Sequence, residues 1–277
     1  MKRRAFAIFR ALEALAVLVL LFASSAHASV APPARPVFVT IPWLSGIARF
    51  IVGTTTAVQP LASWAPDGSL RASKRMPQNP TVIAIDPEDA ARYNLKPGQK
   101  GLYLLYGKLP IGEEDRISMF FDPSILPFLS QRMLVILCEL EPDNYPFYQR
   151  RLAEFQSRLE STLEVGRSLI GSFPILDLAG AASPWVRAAS PRAVRPPDDL
   201  WAAWAEGARR EELSLALKEA ARRGWPILVD AWTPARIRSQ VLGAYKNIYV
   251  GPPEGDYEFF AFLHDIYLKI WSESTGN

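Results

Sequence analysis

The chain predicts an α/β fold of two lobes with mainly parallel sheets, joined by a long backbone helix, with a ligand cleft between the lobes. Two observations carry this. Apolar, β-branched runs alternate with helical patterns both before and after residues 144–170. Between them, Tyr148, Leu152, Phe155, Leu159 and Leu163 fall three and four apart, on one face of a single helix. The organisation expected is a signal peptide over 1–28, an N-terminal lobe over 29–142, the linking helix over 143–170 and a C-terminal lobe over 171–277.

In the first lobe, Pro36 to Ile41 reads as a buried strand and Leu44 to Val52 as a short amphipathic helix. Thr54 to Leu61 is strand-like. Residues 62–80, rich in Pro, Ser, Asp, Gly and Asn, read as a long loop. Asp86-Pro87 starts a helix, because Asp can cap and Pro suits the first helical position. Gly101 to Tyr106 reads as a strand, and Asp122-Pro123 repeats the helix-start signal for a helix to Leu140. The linking helix is expected from Asn144 to Ile170. That is well beyond the mean helix of about 11–12 residues, as suits an element spanning two lobes.

The second lobe repeats the alternation. Phe173 to Leu178, Pro226 to Asp230 and Ile248 to Val250 read as strands; Arg209 to Arg223, Thr233-Pro234 onward and Asp256 to Trp271 read as helices. Gly180 to Pro197 has no clear pattern. Trp201 and Trp204, three apart, are expected to face the C-lobe core.

The N-terminus carries an export pattern. Lys2, Arg3, Arg4 and Arg10 precede an apolar run over 14–23, and Ala26-His27-Ala28 fits a small-x-small cleavage site. The protein is therefore expected in the periplasm, cleaved after Ala28. Removal of 1–28 takes four of 31 basic and one of 28 acidic residues, leaving 27 of each. The mature chain is then neutral, which gives nucleic-acid binding no support. No apolar run reaches the 18 or so residues of a membrane span.

An enzyme is not expected. There is no Gly-x-Ser-x-Gly elbow, Walker loop or Gly-x-Gly-x-x-Gly after a strand. The mature chain keeps one His, His264, and one Cys, Cys138, which sits in an apolar run and reads as buried and inert. Glu113-Glu114 and Asp198-Asp199 read as solvated charge.

In order, Val39 to Gly53, Pro80 to Asp89 (PTVIAIDPED), Ser118-Met-Phe-Phe-Asp122-Pro123, the face from Tyr148, Ile227 to Pro234 and Tyr249 to Tyr257 resemble the metal-binding solute-binding proteins of zinc and manganese ABC importers, the TroA-like group. The resemblance covers most of residues 36–273. It implies ligand capture between lobes and an inner-membrane ABC permease as partner. In that family, two His from the first and second loops, usually a third His, and a C-lobe Asp or Glu hold the ion. Here the matching positions read Thr81, Ser118, the His-free stretch from Asp177 to Gly180, and Gly251. Neutral hydroxyls do not replace imidazoles around zinc. A degenerate site is expected, with no metal ligand assigned, and zinc or manganese only if a site has been rebuilt near Asp177 and Asp230.

Asp177 and Asp230 each end an apolar strand, where open α/β sheets place ligands. Each could bind a cation or cap the following turn. Trp43 follows the first strand, Trp232 follows Asp230 and Trp185 follows the third-loop region. They could line an apolar pocket for a small organic ligand or pack the lobe interface. The alternative to ion uptake is a binding module for a metal chelate, a small organic ligand or a protein partner.

Overall fold

Val37–Val39 is β-branched and aromatic, and forms a short buried strand, β1. The chain then turns at Ile41 and Pro42 opens α1 (Pro42–Val52), Pro needing no N–H partner there. The computed structural model describes residues 36–72, 76–109, 116–255 and 257–276. The expected signal peptide and its cleavage point, the Glu113-Glu114 pair and Asp256 lie outside the described residues. α1 departs from the amphipathic reading: every residue but Arg49 is buried. It is apolar all round because other elements cover all its sides.

The first sheet has the order β2 (Val58–Pro60), β1, β5 (Thr81–Ala84), β6 (Leu102–Leu104), all parallel. The second has β10 (Asn247–Val250), β9 (Ile227–Asp230), β7 (Ile175–Asp177), β8 (Ala193–Val194), also all parallel. In each sheet the first and third strands in sequence lie side by side at the centre. Both sheets thus share one topology, although no sequence repeat is visible. Each has its switch point at that central pair, where open α/β sheets take ligands at the C-terminal strand ends.

Two segments depart from the sequence reading. Residues 62–72, expected as loop, form an antiparallel hairpin of β3 (Ala62–Trp64) and β4 (Leu70–Ala72). Its turn is made by Asp67, whose carboxylate accepts from the Ser69 N–H at 3.0 Å, and by Gly68 at φ 81°, a conformation that favours glycine. Pro80 to Asp89, matched above to a ligand loop, instead contains the central strand β5. Val82, Ile83 and Ala84 are buried there, as expected of a strand covered on both faces. The expected helix start at Asp86 is present: its carboxylate accepts the Asp89 N–H at 2.8 Å and caps α2 (Pro87–Ala91).

α3 (Leu126–Leu140) leads through a 3-10 turn into α4 (Tyr145–Ile170), the long helix expected. Tyr148, Leu152, Phe155 and Leu159 are buried on one face. α4 packs on α1 and α3 toward one sheet, and on α5 (Ser183–Ala189) and α9 (Phe259–Thr275) toward the other. α6 (Asp198–Glu206), α7 (Arg210–Arg222) and α8 (Ala235–Val241) complete the second half. Trp204 is buried against its core and Trp201 half-buried. One apolar core runs without a break from β1 and α1 through α4 to β7, β10 and α9.

Gly166 lies where α4 crosses α9. A Cβ built there would stand 2.3 Å from Tyr267 Cε2. The Tyr267 ring cannot easily yield, because it stacks on Trp185 at 5.3 Å and its hydroxyl donates to Trp185 O at 3.2 Å. Gly166→Ala is expected to lower stability by about 1–3 kcal/mol through overpacking, even though alanine is the better helix former. Urea denaturation measures it; an unchanged midpoint would show that the two helices simply separate to accommodate the methyl group.

Candidate functional site

The C-terminal strand ends of both sheets meet around Trp43, the second residue of α1. Its side chain is fully buried. Phe121, Phe262 and Tyr257 lie edge-on to it with ring centroids at 5.0, 5.2 and 5.5 Å, and Phe120, Trp232 and Trp64 lie at 6.1, 6.3 and 6.5 Å. Trp64 and Trp232 also meet edge to face at 5.4 Å. These rings come from both lobes: Trp64 from the hairpin, Phe120 and Phe121 from the turn beginning at Ser118, Trp232 from the β9 loop, Tyr257 and Phe262 from the closing segment. Offset and edge-on aromatic pairs add attraction beyond the area they bury. The centre of the expected cleft is thus an aromatic plug.

The lobes are also pinned by polar bonds around it. The Trp232 indole donates to Gly68 O at 3.0 Å, the Tyr249 hydroxyl to Pro66 O at 3.1 Å and the Tyr257 hydroxyl to Pro42 O at 3.3 Å. The Trp43 and Trp64 indole N–H groups are buried without a hydrogen-bond partner among the described residues. The plug is packed for shape rather than for polar recognition.

The two strand-end aspartates lie together but face inward. Asp230 has no exposed surface. Its Oδ1 accepts from Gly180 N at 3.0 Å and the Thr233 hydroxyl at 2.9 Å; its Oδ2 accepts from Ala181 N at 2.7 Å and Ala182 N at 2.8 Å. A carboxylate has about four lone-pair positions, so all are used. Asp177, also fully buried, accepts from Ala179 N at 3.0 Å and from the Ser183 hydroxyl, with Arg195 Nη1 3.8 Å away. Desolvation pushes its carboxyl above the ordinary value, against those three groups. Both aspartates therefore fix the loop that follows β7. Gly180 is required in that loop, since a Cβ there would lie 2.4 Å from Trp232 O.

The first lobe has a related arrangement. Asp89 is fully buried, bonded by the Thr40 hydroxyl and by Ile85 N at 3.0 Å. Desolvation raises its carboxyl too. Arg116 Nη1 donates to Asp86 at 3.0 Å.

The sequence-based candidates are scattered. Thr81 is the first residue of β5, opposite Val37, at the strand end away from the plug. Ser118 opens the turn that delivers Phe120 and Phe121. Gly251 lines a groove of about 380 Å³ on one side of the plug, with Trp64, Tyr249 and Glu254. Trp43 and Trp232 meet in the plug, whereas Trp185 packs beneath α9, its indole donating to Leu263 O at 3.0 Å. Trp64, Phe121, Tyr257 and Phe262 were missed by the sequence reading. The doubled aromatic Phe120-Phe121 before Asp122-Pro123 was the available signal. Among the described residues, no group of three or more His, Cys, Asp or Glu could hold a metal ion. The donor set at the plug does not fit zinc or manganese, which need imidazole or free carboxylate.

No protein-family model matches the chain, and no curated protein matches it. Solved structures do. A crystal structure of ZnuA aligns with TM-score 0.60 at 17% identity, over 87% of this chain and all of that one. A zinc-bound deletion mutant of ZnuA aligns with TM-score 0.63 at 16% identity, over 88% of this chain and 99% of that one. A manganese-bound periplasmic metal-binding protein from Candidatus Liberibacter asiaticus aligns with TM-score 0.57 at 14% identity, over 87% and 99%. This chain has their fold. The expected architecture, two parallel-sheet lobes with a long helix, is the one these proteins share. The laminin-binding protein of Streptococcus agalactiae, described as having adhesin and metal-transporting activity, has it as well, with TM-score 0.59 at 12% identity over 87% and 100%.

Proposed function

We propose that the chain is an exported, non-enzymatic binding protein of the ABC-importer type whose inter-lobe site does not capture a free metal ion. Residues 1–28 act as the signal peptide, 29–142 and 171–277 form the lobes, and the protein works in the periplasm with an inner-membrane permease. The fold shared with zinc- and manganese-bound periplasmic proteins supports the general class. One observation carries the departure from ion uptake: the fully buried Trp43 and its ring of aromatic side chains stand where the two sheets' strand ends converge.

An ion would have to displace several close-packed rings and then find oxygen or nitrogen donors. Asp230 has none free, and Asp177 is held by Ser183, Ala179 and Arg195. A continuous α4 and a shared core also make large lobe opening costly, because hinges are normally a few loop or element-end residues.

The test is elemental analysis of the periplasmically purified protein, with calorimetric titration of zinc and of manganese. The expected result is less than stoichiometric metal and no saturable heat. One equivalent of either metal per chain, or binding tighter than about 1 μM, would overturn the reading.

A further inference from the structure

Beside Trp232 of the plug, a cavity of about 700 Å³ opens between the hairpin turn and the second lobe. That volume is within the usual range for small-molecule sites. Trp201, Trp232, Arg195 and Arg238 line it, with Asp67 at the hairpin turn.

The two arginines are held in the same manner. Arg195 Nη1 donates to Ala179 O at 2.7 Å, and Arg238 Nη1 donates to Ala231 O at 2.5 Å. Those carbonyls follow Asp177 and Asp230, so both guanidinium groups are anchored at the C-terminal ends of the central strands, β7 and β9. Each anchor uses one N–H of five. Arg195 also lies over the Trp201 ring, its Cζ 5.1 Å from the centroid, which fixes its plane. Asp177 lies behind Arg195 at 3.8 Å, but no carboxylate pairs with Arg238 among the described residues. At the hairpin turn Asp67 Oδ1 accepts from the Ser69 N–H at 3.0 Å and from its hydroxyl at 2.7 Å, which favours the charged carboxylate. The cavity therefore combines two fixed guanidinium groups with indole surface, and among its lining residues only Asp67, at the hairpin turn, carries a negative charge.

We propose that this cavity binds a small organic anion carrying a flat ring, with its carboxylate on Arg238 and Arg195 and its ring against the indoles. Arginine suits such a ligand because its planar fork matches carboxylate and its donors are already oriented. The aromatic wall adds contact area that a bare inorganic anion could not use. The inference deepens the binding-protein reading by naming a ligand class, and the two fail separately: metal uptake bears on the plug, anion binding on this cavity.

Phthalate, an aromatic dicarboxylate, serves as the probe in calorimetric titration of the periplasmically purified protein. Benzamide supplies the ring without the charge, and inorganic phosphate supplies the charge without the ring. Phthalate is expected to bind at least about tenfold more tightly than either. Arg238→Gln is expected to weaken phthalate by about tenfold or more while the protein stays folded, with a melting temperature lowered by no more than about 10 °C for the lost bond to Ala231 O. No saturable phthalate binding up to about 10 mM would overturn the proposal. So would phthalate affinity equal to that of benzamide or phosphate, or full affinity in a folded Arg238→Gln variant. The comparison of the three probes on the wild-type chain stands even if the variant fails to fold.

Discussion

Trp43→Ala is expected to destabilise the protein by about 3–5 kcal/mol, the range for emptying a buried tryptophan site. For a domain of this size that corresponds to a fall in Tm of about 6–20 °C. The indole is fully buried and has aromatic neighbours from four separate segments, so no single neighbour can move in to fill the space. Rigid surroundings of this kind leave most of the cavity open, and the cavity adds to the lost transfer energy. Trp43→Phe, which retains part of the ring surface, is expected to cost less than half as much. Calorimetric unfolding of both variants measures the difference. The native fold should survive, because α4 still packs on α1, α3, α5 and α9. Trp43→Ala should gain no zinc binding, since opening the plug supplies space and no ligand. A loss below about 1 kcal/mol would mean that the plug is loosely packed and that the lobes are joined mainly through α4.

The plug also marks where sequence reading stopped. The alternation of elements, the capping role of Asp86 and the α4 face were legible because each rests on residues a few positions apart: a carboxylate three residues from the N–H it accepts, or apolar side chains at helical spacing. The hairpin of residues 62–72 was hidden because its composition is that of a loop; only Pro66-Asp67-Gly68-Ser69 is truly turn, and the flanking strands, three residues each, are too short for their alternation to declare itself. Pro80 to Asp89, read as a loop, instead holds the central strand β5, which Thr81 begins. The aromatic cluster was legible only as separate tryptophans. Nothing local to Trp43 predicts that Trp64, Phe121, Trp232 and Phe262 meet it, since the contacts depend on how two sheets face one another. That the matched positions carry no imidazole was readable in the sequence; which rings meet at the strand ends was not.

The aspartates give the second large effect. Asp230→Asn is expected to cost about 2–4 kcal/mol, although the side chain keeps its shape. Replacing one carboxylate oxygen by NH2 sets a donor against donors. If the amide takes the Oδ2 position it meets the N–H groups of Ala181 and Ala182; if it takes Oδ1 it meets the Gly180 N–H and the Thr233 hydroxyl. The second arrangement is the cheaper, because the Thr233 hydroxyl also reaches Leu178 O at 3.2 Å and can turn to it; the Gly180 N–H is then orphaned, at about 1–3 kcal/mol, and the surviving bonds lose their charge assistance, at about 1 kcal/mol more. The loop from Ala179 to Ser183, which positions Gly180 against Trp232 and begins α5, is expected to loosen with it. Urea denaturation gives the stability change. A ligand role makes the opposite forecast: an aspartate kept for a cation would lose binding on amidation and leave the ligand-free protein equally or more stable, because an uncompensated buried charge would have been removed. The sign of the change in the metal-free protein therefore separates the two roles. A stabilised Asp230→Asn variant would restore Asp230 as an ion ligand, whereas a strongly destabilised one identifies a carboxylate whose acceptor positions are all committed to the fold.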